Sequence, residues 1–425
     1  MNASRNAGRS KATLILCAVL HTFTHAYGVI LVPLYFLMRD DLKLNGIREA
    51  SLLVSIYGVA YMACSYPAGV LADRSNRAKL LGFGLIANAL AVALMGVTRR
   101  YELLVALAVL GALGGTLFHP SANALIPAHF PKNPGMAIGM LGIGSGLGFF
   151  LGPQYAGWRA KTAAWHFASV AQWQKPCVEL GLLGALVGIV FLLIAREAPG
   201  AEHVRGRRPP LDRKLRRRVI ATAFVLGCRD FSGIASVSLV SIYLQRAHRM
   251  DVQVAGFIVG SMMLIGVVAN PIAAWLSPGR RRLPFLAGML AAAGIIVVTV
   301  PAWPAAWILT VLCAFQACHL GSYATSDAAL LERVPAALRG RVVGGFLTIA
   351  GTFAATGPLV MGYWTDRLGP RGGLPAAYYP PFLLLGAMMF VAILSTPLLA
   401  RLGDVEEGTI EPLTEIAPAT MQPVL

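Results

Sequence analysis

The chain has 425 residues, of which 56% are hydrophobic and 13% are charged, and its mean hydropathy is +0.66. This composition excludes a water-soluble domain with a polar surface, since too few polar side chains are present to cover it. The formal net charge of +17 would by itself suit a nucleic-acid-binding protein, so its distribution along the chain has to be considered.

Apolar runs that are each long enough to cross a bilayer recur along the whole chain. They predict an all-α membrane protein with twelve transmembrane helices. The predicted spans are about 13–38, 49–72, 79–97, 102–126, 135–158, 178–195, 218–244, 254–277, 283–300, 305–331, 341–364 and 379–400.

The basic residues follow the predicted loops. If the N-terminus is cytoplasmic, 23 of the 36 Lys and Arg residues fall on inner segments and 12 on outer loops. This excess predicts that both termini are cytoplasmic in a multi-pass protein of the cell inner membrane. It also accounts for the net charge without a nucleic-acid partner. We expect a monomer surrounded by the lipid bilayer.

The sequence repeats itself at an offset of 205 residues. Nine identities fall within the 37 positions from Ser121 to Gly157, and they include a Gly-Pro-x-x-x-Gly segment. A parallel repeat of this kind is typical of secondary transporters built from two pseudo-symmetric six-helix halves. The predicted organisation is an N-terminal half at 1–195, a basic cytoplasmic linker at 196–217, a C-terminal half at 218–400 and a cytoplasmic tail at 401–425.

The first helix carries His21 and His25, which are four residues apart and so share one helix face. A titratable side chain at this depth either faces a cavity or is a neutral histidine bonded to a neighbouring helix, and both interpretations stay open for His25. The repeat places Asp230 at the position of His25 and adds Arg229 beside it. Because adjacent helix residues point about 100° apart, we expect at least one of the two to face a central cavity. An arginine there would favour an anionic substrate.

After the second span comes the segment YPAGVLADRSNRAKLLG. It resembles the signature of the major facilitator superfamily between helices two and three, with Asn76 in place of the usual glycine. The matching positions are Gly69, Leu71, Asp73, Arg74, Arg77 and Lys79. The resemblance implies a cytoplasmic latch in which Asp73 caps the N-terminus of the eleventh helix near Gly340–Arg341.

The fifth helix is rich in glycine and continues into Gly152-Pro153. This resembles a motif frequent in proton-coupled exporters of the superfamily, where small residues allow close helix approach; plain tight packing is the alternative. The Phe118-His119-Pro120 segment, the histidine pair and Arg229 together resemble the fosmidomycin-resistance branch. That branch usually has Asn-Asp where this chain has Thr24 and His25. His119 is either a proton-linked gate or a side chain that bonds around the proline kink.

The tenth helix places His319, Tyr323 and Asp327 on one stripe at a spacing of four residues. For Asp327 we favour pairing with a loop arginine, and a role in proton coupling is the alternative. Between helices five and six, Trp158, Trp165 and Trp173 suit a segment at the membrane interface. The last loop contains Asp366, which we interpret as part of a turn.

We therefore predict a secondary active transporter that works by alternating access, as a proton-coupled antiporter exporting a small organic anion or drug-like amphiphile. A proton-coupled importer or an uncoupled facilitator is the alternative, and a membrane-embedded sensor or enzyme is remote. No catalytic, cofactor or metal-binding set is evident. The partners are a small-molecule substrate and protons. Candidate substrate-binding residues are Arg229, His21, His119, Tyr27 and Tyr323. Candidate proton-coupling residues are His25, Asp230, His119 and Asp327.

Overall fold

The computed structural model describes residues 2–162, 170–197, 213–334 and 338–403, with side chains except at 2–7 and 339–341. Over these residues the chain is helical, and no strand occurs among them. The central part of the predicted linker, the tail beyond residue 403 and Trp165 lie outside the described residues. The predicted all-α fold is confirmed.

Nine helices form the first half of the chain, and six of them are halves of broken spans. They are α1 (Asn2–Val29), α2 (Tyr35–Leu42), α3 (Ile47–Ala63), α4 (Ser65–Arg74), α5 (Arg77–Met95), α6 (Tyr101–Gly115), α7 (Phe118–His129), α8 (Pro134–Lys161) and α9 (Gln174–Ile194).

The second half is built in the same way and also has nine helices in the described residues. They are α10 (Arg213–Arg246), α11 (Val252–Leu264), α12 (Gly266–Leu276), α13 (Arg282–Thr299), α14 (Ala305–Arg333), α15 (Arg339–Ala354), α16 (Gly357–Arg367), α17 (Tyr379–Ala392) and α18 (Ser395–Ala400). Eleven segments of the described chain are long and apolar enough to cross a membrane, and α3 with α4, bent by 45°, supply a twelfth.

The glycine-rich helix α8 lies against both halves. A Cβ atom added to Gly152 would lie 2.9 Å from the backbone of Ala26 on α1, so only glycine permits this approach. On the other side, a Cβ atom on Gly256 or Gly260 of α11 would collide with the backbone of α8. Small residues on both helices therefore allow the backbones of α8 and α11 to meet across the boundary between the halves.

The halves also meet through polar contacts at one end, which we call the closed end and define by Ile47, Lys161, Asp251 and Asp366. Asp366 accepts hydrogen bonds from the backbone N–H groups of Ile47 at 2.8 Å and Arg48 at 3.0 Å. Lys161 Nζ lies 2.7 Å from Asp251 Oδ2. This hydrogen bond, with those from backbone N–H groups of α11, lowers the pKa of Asp251, so the contact persists at neutral pH and weakens only in acid.

Two further contacts reinforce the closed end, since Tyr35 and Ser238 share a hydrogen bond of 2.9 Å and Ser241 donates to the carbonyl of Val32. Side chains near the opposite ends of α8 and α12 are exposed instead. They include Met136, Met140, Trp275 and Leu276. If the termini are cytoplasmic as predicted, the closed end faces outward.

The close approach of α8 to α1 predicts that a larger residue at Gly152 lowers the stability of the protein. Gly152→Ala should destabilise the protein by about 1–3 kcal/mol, because the added methyl group collides with backbone that cannot rotate away. Gly142→Ala is the matched control, since nothing lies within 4 Å of its Cβ position. The control should be neutral or up to about 1 kcal/mol more stable, because alanine favours the helix. Thermal unfolding in detergent measures both, and equal melting temperatures would contradict the packing argument.

The contacts at the closed end predict that removing one of them increases the population that is open at this end. Asp366→Ala removes an anionic acceptor from the N-terminus of α3, which should weaken the contact between the halves by about 1–2 kcal/mol. The population open at this end should then rise about five- to thirtyfold, measured by electron-paramagnetic-resonance distances between spin labels across it. Asp40→Ala is the control, because Asp40 is 65% exposed and pairs with the neighbouring Arg39. An identical distance distribution in both variants would refute the assignment.

Candidate functional site

A cavity of about 590 Å³ lies between the two halves. Helices α1, α3, α7 and α8 line it from the first half, and α10, α11, α12, α14 and α16 line it from the second. Its ring-bearing side chains are His25, Tyr57, Tyr61, His119, Phe149, His319 and Tyr323, and its polar ones include Thr24, Ser145, Ser238, Asn270 and Asp327. Among the described lining residues, Asp327 carries the one carboxylate, and none is lysine or arginine. The lining is therefore mainly aromatic and apolar.

Three histidines converge on the first-half side of this cavity. His25 Nε2 lies 3.0 Å from His21 Nε2, as expected for residues on one face of α1. His119 reaches the pair from α7, with ring centroids 5.1 Å from His21 and 5.5 Å from His25. One ring nitrogen from each histidine lies within 4.8 Å of the others. The sequence analysis identified all three residues but expected no metal-binding set, because the convergence depends on how α1 and α7 pack.

Arg229 and Asp230 pair with each other, although they are adjacent on α10. Arg229 Nε donates to Asp230 Oδ1 at 2.8 Å, and Nη1 donates to Ser326 Oγ at 2.7 Å. The guanidinium carbon lies 3.7 Å from the ring centroid of Tyr323. The long arginine side chain bends back along α10, so the direction of its Cα–Cβ bond does not fix where the charge lies.

Neither member of this ion pair lines the cavity. Arg229 is fully buried, and Tyr323, which does line the cavity, covers its guanidinium. The expectation that Arg229 or Asp230 faces a substrate directly is therefore not met. Their neighbour Tyr323 is the cavity residue of this group. Its role in binding substrate stays a prediction.

Asp327 lines the cavity. Its predicted pairing with a loop arginine stays a prediction, because the side chains of Arg339 and Arg341 lie outside the described ones. The Oδ1 atom of Asp327 lies 3.5 Å from Ser326 Oγ, which also accepts the hydrogen bond from Arg229. About two turns before it on α14, His319 packs against Gly233, where a Cβ atom would collide with the imidazole ring. His319 Nδ1 is bonded to Gln316 Oε1 at 2.8 Å. The acid, the tyrosine and the histidine thus form one stripe along the cavity wall.

Tyr27 lies away from the cavity, because its hydroxyl donates to the carbonyl of Leu180 on α9 at 2.8 Å. It lines a separate void of about 20 Å³, too small for an organic substrate. The candidate substrate-binding role of Tyr27 is therefore not supported by its position.

The predicted latch segment contacts both halves of the chain, because α4 packs against α15 as well as against α7. The backbone N–H of Arg77 donates to Glu197 at 2.6 Å, and the two side chains form an ion pair at 3.5 Å that joins the start of α5 to the predicted linker. Asn76, the departure from the signature, caps α5 by accepting from Lys79 N at 2.8 Å. Arg74 is exposed and Gly69 lies against Pro120. The proposed partner of Asp73 near Gly340–Arg341 has side chains outside the described residues.

A sequence model of the Major Facilitator Superfamily matches residues 14–350, which is most of the chain. The chain belongs to the major facilitator superfamily. This membership, together with the helical fold, makes it a multi-pass membrane transporter rather than an enzyme, and members of the superfamily bind small-molecule substrates within the membrane.

Two curated relatives differ in how much of the chain they match. A multidrug resistance protein MdtG from Dickeya zeae is 35% identical over 147 residues, which span 33% of this chain and 35% of the relative. The match thus covers about a third of that protein's length. A probable nitrate/nitrite transporter NarK2 from Mycobacterium tuberculosis is 26% identical over 94% of this chain and 98% of its own.

Solved structures share the fold. A bacterial homologue of the human lysosomal transporter Spinster, in an inward-facing and unoccupied conformation, superposes with a TM-score of 0.75 at 17% identity. The alignment covers 93% of this chain and 98% of that one. The nucleoside transporter NupG gives a TM-score of 0.69 at 12% identity over 91% and 99% of the two chains.

The buried ion pair of Arg229 and Asp230 predicts that removing one charge destabilises the protein more than removing both. Asp230→Ala leaves Arg229 charged and unpaired in the interior and should cost about 3–5 kcal/mol. The double variant Arg229→Met with Asp230→Ala removes both charges and should recover most of that loss. Thermal unfolding in detergent distinguishes the two, and a single variant as stable as the double would show that the pair is not the stabilising unit.

Proposed function

We propose that this transporter exports a drug-like amphiphile by alternating access, in exchange for protons, across the cell inner membrane with both termini in the cytoplasm. The observation that carries the proposal is the composition of the cavity between the halves. It combines aromatic walls with a carboxylate and, in the described residues, has no lysine or arginine.

The size and chemistry of the cavity support this substrate class. A volume of about 590 Å³ falls within the range of about 300–1,000 Å³ of sites for drug-sized ligands. Aromatic faces attract cations and cover apolar groups, whereas a small anion would require an accessible positive charge. Arg229 does not supply one, because Asp230 and Ser326 hold its guanidinium behind Tyr323. The partial likeness to MdtG, named as a multidrug resistance protein, points the same way.

Asp327 is the group best placed to exchange a proton for substrate. Its carboxylate faces the cavity, and Tyr323, His319 and the Arg229–Asp230 pair surround it on α14 and α10. A cationic amphiphile and a proton would compete for the same negative charge, which is the requirement for antiport. Entry of substrate from the inner side would displace the proton, and reprotonation from the outer side would release the substrate. The candidate coupling roles of His25 and His119 stay predictions.

A second candidate is the export or exchange of a small inorganic or organic anion. It is favoured by the full-length likeness to a protein named as a probable nitrate/nitrite transporter. In this case Asp230 would take up the proton, and the freed guanidinium of Arg229 would reach the substrate past Tyr323. The monomeric state belongs to the proposal in either case.

The test is transport in everted vesicles with an imposed pH gradient, using a fluorescent amphiphilic cation and, separately, nitrate. Wild-type vesicles should move the cation against its gradient, and Asp327→Asn should reduce gradient-driven transport at least about tenfold, since the amide cannot carry a proton. Asp40→Asn, which removes an exposed carboxylate outside the cavity, should behave as wild type.

Each outcome discriminates between the candidates. If wild-type vesicles transport nitrate but not the cation, and Arg229→Gln abolishes the nitrate transport, the substrate is an anion and not a drug-like amphiphile. Undiminished proton-driven cation transport in Asp327→Asn would remove Asp327 as the proton carrier.

A further inference from the structure

The cluster of His21, His25 and His119 has a geometry that neither the proposed substrate nor proton coupling through Asp327 explains. Three imidazoles from two helices place one nitrogen each within 4.8 Å of the others. His25 and His119 both line the central cavity, whereas His21 lies behind them and is almost fully buried. The cluster can therefore be reached from the cavity through two of its members.

The orientation of His21 is fixed by a hydrogen bond to the backbone. Its Nδ1 atom lies 2.8 Å from the carbonyl oxygen of Leu141 on α8, so Nδ1 carries the proton and donates. The lone pair of the neutral ring is then on Nε2, which points toward His25 Nε2 at 3.0 Å. Metal-binding histidines are typically held in this way, with one ring N–H donated to a carbonyl or carboxylate so that the other nitrogen faces the ion.

A simple hydrogen bond between His21 and His25 would explain the pair but not the third ring. His119 makes no hydrogen bond to any residue in the part of the chain that the structure describes, yet it lies against both rings. Phe118 stacks on His21 with ring centroids 4.5 Å apart, and Phe149 packs on His25 at 4.4 Å. These aromatic contacts hold the rings around a common centre. At that centre the imidazole of His119 faces the cavity and is placed to bind a ligand together with the other two rings.

We propose that His21, His25 and His119 form a binding site for a divalent transition-metal ion of the zinc type. Three imidazole nitrogens suit Zn²⁺ or Co²⁺, and tetrahedral bonds of about 2.0–2.1 Å require nitrogens about 3.4 Å apart. The observed separations, from 3.0 Å to at most 4.8 Å, are within reach of small side-chain rotations.

The fourth coordination position of such an ion would be open toward the cavity. Two ligands already line the cavity, and so does Tyr61, whose buried hydroxyl has no hydrogen-bond partner among the described residues. The Tyr61 ring lies 6.3 Å from that of His119. A water molecule bonded to Tyr61 or a donor atom of a solute would complete the site, as in metal centres that keep one position free.

All three ligands belong to the first half of the chain. The bound ion would therefore move with that half and would not cross-link the two halves. Metal occupancy is compatible with alternating access, either as a fixed anchor for a solute with a donor atom or as cargo.

The experiment is a Co²⁺ titration of the purified full-length protein in detergent, freed of any affinity tag. Wild-type protein should bind about one Co²⁺ per chain with the intense visible absorption of a tetrahedral nitrogen site, and Zn²⁺ should displace it. Loss of a supporting hydrogen bond already costs about 10–100-fold in metal affinity, so His21→Gln, His25→Gln and His119→Gln should each lose at least about 100-fold. His129→Gln is the control, because His129 contacts Ser10 and Arg196 outside the cavity.

Melting temperatures of the apo variants, measured alongside, separate loss of the site from loss of folding. Absence of a tetrahedral Co²⁺ spectrum in folded wild-type protein would overturn the proposal, as would equal binding by all three variants and the control. Because the titration needs no transport, it can fail while the proposed export function stands, and the reverse is also possible.

Discussion

The closed end depends on carboxylates placed at the N-termini of two helices. A helix N-terminus has free N–H groups and a partial positive charge, so it attracts an anion. Asp366 of α16 satisfies this requirement for α3 from across the boundary between the halves, at a point where Gly46 leaves room for it. Asp251 caps α11 itself, with its Oδ1 accepting from Gln253 and Val254, and then pairs across the boundary with Lys161. These two contacts, together with the hydrogen bonds Tyr35–Ser238 and Ser241–Val32, join the halves at the closed end.

The two contacts are related by the internal repeat. Asp366 and Lys161 are equivalent at the offset of 205 residues, as are Asp251 and Gly46. At the N-terminus of α3 the capping carboxylate is that of Asp366, which comes from the opposite half. At the N-terminus of α11 it is that of Asp251, which directly precedes the helix and forms an ion pair with Lys161 of the opposite half. The same two helix ends are thus joined with the charges exchanged, and the small residues of α8 and α11 bring the backbones close enough for this.

Much of the fold could be predicted from the sequence, because spans, repeat and loop charges are encoded locally. The shared face of His21 and His25 follows from helical spacing in the same way. The approach of His119 to them could not be predicted, since it depends on the packing of α7 on α1. The pairing of Arg229 with Asp230 was missed because a long side chain can reverse direction. Asp366 was interpreted as part of a turn, because its partner lies more than 300 positions away in the chain.

The stacking of aromatic rings on the first helix of each half shows how far the copies have diverged. Phe118 and Tyr323 are equivalent in the repeat, yet one stacks on the imidazole of His21 and the other on the guanidinium of Arg229. One copy therefore holds a cluster of histidine nitrogens, and the other holds an ion pair with an acid beside it. A transporter assembled from two identical copies of either half would keep the scaffold and lose half of its chemistry. The two halves are therefore not interchangeable, although they share one scaffold.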